Sequence, residues 1–281
     1  MTKVALLGAG GKMGVRLSKN LAGSRFEVDH VEVSEEGRKR LKDEVGVDAV
    51  PADNALAEAD VVLMAVPDRL IGKIAHGFID KLKPGAAVIV LDAAAPYAGE
   101  MPERDDVTYF CTHPCHPHIL EVQDTKEAQA DYFGGIAAPQ GIVCALIQGP
   151  EEHYALCEEV AKLIYQPVIR SHRCTLENIA VLEPALSETV AATLSLALRE
   201  ATDRAVSMGV PEAAAHDFVL GHLKIELAIA FGIFPEGKFS DGALLAIDKA
   251  KSVIFKDDWL DQIFSLDAVK QSVEDICNQQ G

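Results

Sequence analysis

One stretch narrows the fold more than any other. A continuous apolar run, Val4–Leu7, stops at Gly8-Ala9-Gly10-Gly11-Lys12-Met13-Gly14, and helical spacing then runs from Met13 to Leu21. A strand without polar alternation is buried on both faces. A glycine turn that passes straight into a helix starts a crossover to a parallel neighbour. The alternation continues, with strands expected at Phe26–Val33, Asp60–Val66, Ala86–Leu91, Tyr109–Thr112, Ile142–Gln148 and Val168–Ser171. Between them, Ile71, Ile74, Phe78 and Leu82 keep helical spacing, and a helix is expected over Glu151–Tyr165. The expected fold is α/β, a Rossmann-type doubly wound parallel sheet covered on both faces.

After Cys174 the pattern changes. Thr175 is placed to cap a long helix reaching Met208, with a stripe at Ile179, Leu182, Leu186, Val190 and Leu194 and a kink expected at Pro184. Gly209-Val210-Pro211 ends it and opens the next helix, which reaches Phe231. Further helices are expected over Asp241–Phe255 and Leu266–Cys277. The expected division is a dinucleotide domain at 1–172 and a smaller all-α domain at 173–281.

The glycine string has a chemical reading. Glycines there allow a tight turn, close approach to a pyrophosphate and close helix packing, while free N–H groups at the helix start face the phosphates. The spacing reads best as Gly8, Gly11 and Gly14, with Gly10 as a surplus glycine. Glu32 follows the glycines by ~20 residues at the end of the second strand, where an acid accepts from ribose hydroxyls and repels a 2′-phosphate. Val66-Pro67-Asp68 ends the third strand, where the other half of the cofactor would pass. NAD is the expected cofactor, contacted by Gly8, Gly10, Gly11, Lys12, Met13, Gly14, Glu32, Val66, Pro67 and Asp68.

With Lys+Arg 26 against Asp+Glu 43, the 281-residue chain carries a net charge of −17. Such a surface repels phosphate backbones and anionic lipids, so neither nucleic acid nor membrane is an expected partner. The apolar run from Val4 to Gly10 is too short to span a bilayer and lacks a small-residue cleavage site, so a cytoplasmic location is expected. An anionic substrate would need local positive charge.

Thr112-His113-Pro114-Cys115-His116-Pro117-His118 is the most unusual segment. Residues before proline are held extended, so His113 and His116 sit on stiff backbone at a strand end, suited to metal ligation or proton transfer. Glu183-Pro184-Ala185-Leu186-Ser187-Glu188 opens the second domain. Five residues of α-helix turn about 500°, which leaves Glu183 and Glu188 about 140° apart. Glu183 is the ligand candidate and Glu188 a second possibility. His222 and Glu226 share a helix face and could line the same cleft, a dimer partner's cleft, or simply pair on the surface. The layout resembles β-hydroxyacid dehydrogenases, but the catalytic Lys those enzymes carry on the helix opening the second domain is missing from Ile179–Arg199. A metal ion would do the same polarising work.

The glycine loop, Thr112–Pro117, Asp131-Tyr132-Phe133-Gly134-Gly135-Ile136, Leu182–Thr189 and Gly221-His222-Leu223 together resemble the D-apionate oxidoisomerase family, whose C-terminal domain is of phosphogluconate-dehydrogenase type. The resemblance covers nearly the whole chain. It implies NAD-dependent conversion of a sugar acid, D-apionate, to 3-oxo-isoapionate in apiose catabolism, with hydride transfer and carboxylate migration. It also implies a divalent metal (zinc, manganese or magnesium) on His113 and Glu183, with His116 either a third ligand or a partner that supports one, and a homodimer; His116, Glu188 and His222 are the candidate catalytic residues. The alternatives are a simple NAD-dependent hydroxyacid dehydrogenase, with His116 or Glu188 as base, and a non-catalytic NAD-binding protein.

Overall fold

The structure, a computed structural model, describes residues 1–277. Seven strands form one sheet: β1 (Lys3–Leu7), β2 (Glu27–Val31), β3 (Val61–Met64), β4 (Ala87–Val90), β5 (Thr108–His116), β6 (Gln140–Gln148) and β7 (Val168–Arg173), in the order β2-β1-β3-β4-β5-β6-β7. Their apolar runs are the core. Val4, Leu6, Val61, Leu63, Ile89 and Phe110 are completely buried, and helices pack on both faces as continuous apolar strands require.

The sheet departs from all-parallel at one place. β6 runs antiparallel to β5. The connection between them holds a single short helix, Lys126–Ala130, too short to carry the chain back across the sheet, so the strand returns beside its predecessor. The helix His153–Ile164 then provides the crossover that lets β7 pair parallel to β6. Five helices lie outside the expected set: Ala94–Tyr97, Lys126–Ala130, Trp259–Phe264 and two that follow β2. Glu35–Val45 is capped by the Ser34 hydroxyl, which accepts from the Gly37 N–H, and stopped by Gly46 at φ 83°; Ala52–Glu58 follows it.

The chain divides into two compact units, Met1–Glu183 with Lys270–Cys277, and Pro184–Val269. The second is all helix: Ala192–Ser207, Glu212–Ala230, Asp241–Ile254 and Trp259–Phe264. Thr175 caps the helix Leu176–Ala180 in a reciprocal capping box with Asn178. The kink expected at Pro184 takes a different form. Val181–Ala191 is a π-helix, whose wider turn accommodates the missing proline N–H; the Thr189 hydroxyl donates to the Pro184 carbonyl at 2.7 Å. The helical run Leu176–Ser207 is long and apolar enough, by length and composition, to cross a bilayer, with mean hydropathy 1.3 and 22% of that window buried.

Candidate functional site

The strand order reverses between β1 and β3, and ligands of open α/β sheets bind outside the carboxyl strand ends at such a point. A cleft of about 340 Å³ lies there, lined by Gly8, Gly10, Gly11, Glu32, Val66 and Pro67, with Ser34 and Arg40 beside them. Lys12 and Met13 are exposed in the first turn of the helix Lys12–Leu21, and Asp68 is exposed at the start of a 3-10 turn. Gly14 is buried beneath the turn.

The glycines sort by space in a way their spacing does not reveal. Gly8 has φ 74°, and a Cβ there would lie 2.3 Å from the Ala65 carbonyl oxygen. At Gly14 a Cβ would stand 2.0 Å from the Gly8 carbonyl oxygen, and at Gly10, 2.2 Å from that of Gly37. Gly11 would meet only one atom, at 3.2 Å. Gly10 is therefore no surplus. It belongs with Gly8 and Gly14 as a residue whose side chain has no room, and Gly11 is the permissive one.

Glu32 follows β2 and is buried. It accepts from the Gly10 N–H at 3.0 Å and from the Ser34 N–H and hydroxyl at 2.8 and 3.0 Å. Burial raises its pKa, but hydrogen bonds from Ser34, Gly10 and Val33 outweigh that and hold the carboxylate below its ordinary value. The acid thus staples the glycine turn to the end of β2 while facing the cleft.

Farther along the same carboxyl edge, β4, β5 and the π-helix Val181–Ala191 bring three ligand-type groups together. Val90 pairs with Cys111, so two residues on, Asp92 comes alongside His113. Asp92, His113 and Glu183 each offer a ligand atom within 4.8 Å of the others. His113 Nδ1 lies 2.9 Å from the Leu91 carbonyl. A carbonyl only accepts, so Nδ1 carries the proton and the neutral ring presents a lone pair on Nε2. That nitrogen is 3.1 Å from Glu183 Oε1. Burial lowers the pKa of His113, against smaller raising effects of the Leu91 carbonyl and Asp92, so the ring is held toward its neutral form. A neutral imidazole facing a carboxylate sets acceptor against acceptor, which is the arrangement of two ligands to one cation. One nitrogen and two carboxylates suit zinc, manganese or magnesium, so the donor set fits a divalent ion.

Asp92 was not among the sequence candidates. The signal was available, since it is the acid directly after an expected strand, the position that singled out Glu32. Its Oδ1 also accepts from the Ala94 N–H at 2.6 Å.

A bulge brings His116 beside His113. On a regular strand residues three apart face opposite sides. Here Pro114 pairs with Ile142 and His116 with Gly141, leaving Cys115 as an extra residue. The extra residue returns His116 to the His113 face, with ring centroids 6.1 Å apart and nearly perpendicular. Glu188 and His222 lie in the helical unit. Glu188 is exposed on the π-helix. Its i→i+5 repeat puts positions 183 and 188 on one side of that helix, unlike the α-helical angle assumed from sequence. His222 donates through Nδ1 to the Phe218 carbonyl at 2.8 Å and stacks on the Phe218 ring, with centroids 4.0 Å apart.

Comparison with known proteins agrees with this layout. The family "Phosphogluconate dehydrogenase (decarboxylating) C-term" matches residues 121–277, and "NADP oxidoreductase coenzyme F420-dependent" matches residues 3–96. A D-apionate oxidoisomerase of Rhizobium rhizogenes is 53% identical over 98% of this chain and 100% of its own. A solved structure from Cupriavidus necator, described as a semialdehyde dehydrogenase NAD-binding protein in complex with calcium and NAD, is 52% identical. It covers 98% of this chain and 99% of its own, with a TM-score of 0.96. An NADH-preferring ketol-acid reductoisomerase from an uncultured archaeon shares the fold, at 18% identity over 99% of this chain and 82% of its own, with a TM-score of 0.67. Near-full-length identity above half, carried across both units, shows that the chain belongs to the D-apionate oxidoisomerase family.

Proposed function

We propose that this protein is an NAD-dependent, metal-assisted oxidoisomerase that converts D-apionate to 3-oxo-isoapionate in apiose catabolism in the cytoplasm. The observation that carries this reading is the Asp92–His113–Glu183 cluster, set on the same carboxyl edge as the dinucleotide cleft. The relatives named D-apionate oxidoisomerase and the 52%-identical structure holding calcium and NAD support it. We assign NAD binding to residues 1–172 and substrate binding and dimerisation to 173–281.

When bound, NAD supplies the hydride acceptor, and a divalent cation supplies Lewis acidity to two adjacent oxygens. His113, Glu183 and Asp92 would hold the cation. The glycine turn and the first turn of the helix Lys12–Leu21 would bind the pyrophosphate, and Glu32 would take the ribose hydroxyls. His116 receives the hydroxyl proton of the substrate. Glu188 and His222 are further candidates for contact with the sugar acid. The carbon chemistry sharpens one point of the expected reaction. Once C2 is a ketone, a ketol shift moves a group from the neighbouring carbinol carbon onto C2. In apionate that carbon bears hydroxymethyl groups, so a hydroxymethyl moves, and the carboxylate, already on C2, stays.

The test is NADH formation from D-apionate with product analysis. Chelator should suppress turnover by at least about tenfold, and added cation should restore it. Substrate labelled at C1 should give a rearranged product with the label still bonded to C2. An unrearranged 2-keto acid would make the protein a simple dehydrogenase, and no NADH from any aldonate would make it a non-catalytic NAD binder.

A homodimer is also proposed. Leu196, Phe218, Leu220, Leu245 and Ile254 are each more than half exposed, while Thr202 and Ala215 are the buried residues of the two longest helices of Pro184–Val269. A helical unit with so little core of its own needs a partner surface. Of these residues, Leu196 lies in the helical run that by composition could enter a bilayer. Sedimentation equilibrium should give twice the chain mass without detergent, and Phe218→Asp should lower it. A monomer at micromolar concentration would refute the proposal.

A further inference from the structure

His116 is the one non-glycine among the described residues with positive φ, at 60°. Such a backbone costs on the order of 1–3 kcal/mol and persists only where its surroundings hold it. What holds it is the loop after the helix Lys126–Ala130. His116 Nδ1 lies 2.8 Å from the Phe133 carbonyl. Because a carbonyl only accepts, the neutral ring carries its proton on Nδ1 and leaves Nε2 bare. The Phe133 ring packs edge-on against the imidazole, with centroids 5.8 Å apart.

The loop that presents this carbonyl is tied at two levels. From inside, buried Asp131 accepts through Oδ2 from the N–H groups of Ile136, Ala137 and Ala138 at 3.0, 2.9 and 3.2 Å. From outside, Arg16 donates to the Gly134 carbonyl at 3.0 Å and Asn20 to the Gly135 carbonyl at 2.9 Å. Gly134 and Gly135 have φ 70° and 80°, so both carbonyls turn toward those donors in a way most side chains would resist. Arg16 and Asn20 are four apart on one face of the helix Lys12–Leu21. This is the helix whose first turn opens the dinucleotide cleft.

We propose that Arg16, Asn20 and Asp131 are positioning residues: through the Gly134-Gly135 turn they hold the Phe133 carbonyl where it fixes the orientation and tautomer of His116, tying the proton-accepting Nε2 to the cofactor-binding helix. The inference rests on the reading of His116 as the proton acceptor.

The experiment compares the full-length protein with Arg16→Met, Asn20→Leu, Asp131→Asn and the rescue variant Arg16→Lys, whose ammonium still donates. Two readouts are needed. Long-range 1H–15N spectra of 15N-histidine-labelled protein, with His116 assigned by loss in His116→Gln, report the tautomer. Steady-state kinetics with D-apionate and NAD separate kcat from KM. The neutral wild-type ring should be protonated on Nδ1. Arg16→Met and Asp131→Asn should show mixed tautomers and a kcat lower by roughly 10- to 100-fold, as for lost orienting partners of a functional histidine. Both KM values should stay within about twofold, and Arg16→Lys should recover most of the rate. An Nε2-protonated wild-type ring, unchanged kcat in the loop variants, or lost activity with the tautomer unchanged would overturn the inference. Full activity in His116→Gln would instead overturn the reading beneath it. An inactive His116→Gln beside fully active loop variants would sink the positioning role alone. If Asn20→Leu fails to fold because its bond to the Ile164 carbonyl is also lost, Arg16→Met and Asp131→Asn carry the same readouts.

Discussion

His113→Ala and Glu183→Gln should each lower kcat for D-apionate by on the order of 10²- to 10³-fold, the several kcal/mol that a positioned cation contributes to developing charge. Affinity for NAD, measured by calorimetry without substrate, should be unchanged, because neither residue lines the cleft at the glycine turn. Asp92→Asn should be nearly as severe. It keeps an oxygen that can accept from the Ala94 N–H but removes a charge from the cluster. Cation titration followed by intrinsic fluorescence or calorimetry should show weaker binding in all three variants. The physical reason is the Nδ1–H of His113 committed to the Leu91 carbonyl, which leaves Nε2 facing Glu183 Oε1 at 3.1 Å with no proton to share while the ring is neutral. Variants that keep both their turnover and their cation affinity would show that these residues hold each other rather than an ion.

The second large effect belongs to the glycine turn. Gly14→Ala should destabilise the fold by about 3 kcal/mol, at the upper end of overpacking costs, and lower Tm by about 6–12 °C. The new methyl would stand 2.0 Å from the Gly8 carbonyl oxygen and 2.7 Å from Ala9 Cα. Both are backbone atoms, so relief requires the turn itself to move and NAD affinity should fall with Tm. Gly11→Ala is the internal comparison. Its methyl would meet one oxygen at 3.2 Å, and its stability cost should be well under half as large. Differential scanning calorimetry of the two variants decides the point. Equal melting temperatures would mean that space is not what the glycines provide.

Much of this architecture was readable from local chemistry. Val4–Leu7 and the runs after it gave seven strands because an apolar stretch without alternation has few other places to go. Glu32 was legible as the residue directly after a strand; His113, expected just past a strand ending at Thr112, lies inside β5, which continues to His116. Thr175 was legible as a cap from its place before a helical stripe, and the structure bears that out. The helix Glu35–Val45 could have been found from Ser34 and Gly46 at its two ends.

What no local rule supplied was pairing. The sequence by itself determined the seven strand segments and the longer helices of the second unit, where the cofactor turn lies, and that imidazoles stand on the stiff stretch around Pro114, because those follow from turn chemistry and periodicity within a few residues. Only the tertiary structure decided that Asp92 comes alongside His113, since that depends on the register of β4 against β5. It alone turned His116 onto the His113 face, through a bulge visible only against β6, and reversed β6 itself. It also wound Val181–Ala191 as a π-helix, which changes the side that Glu188 shares. Register, bulges and helix widening are settled by which backbone groups find partners across the fold, and those partners lie tens of residues away in the chain.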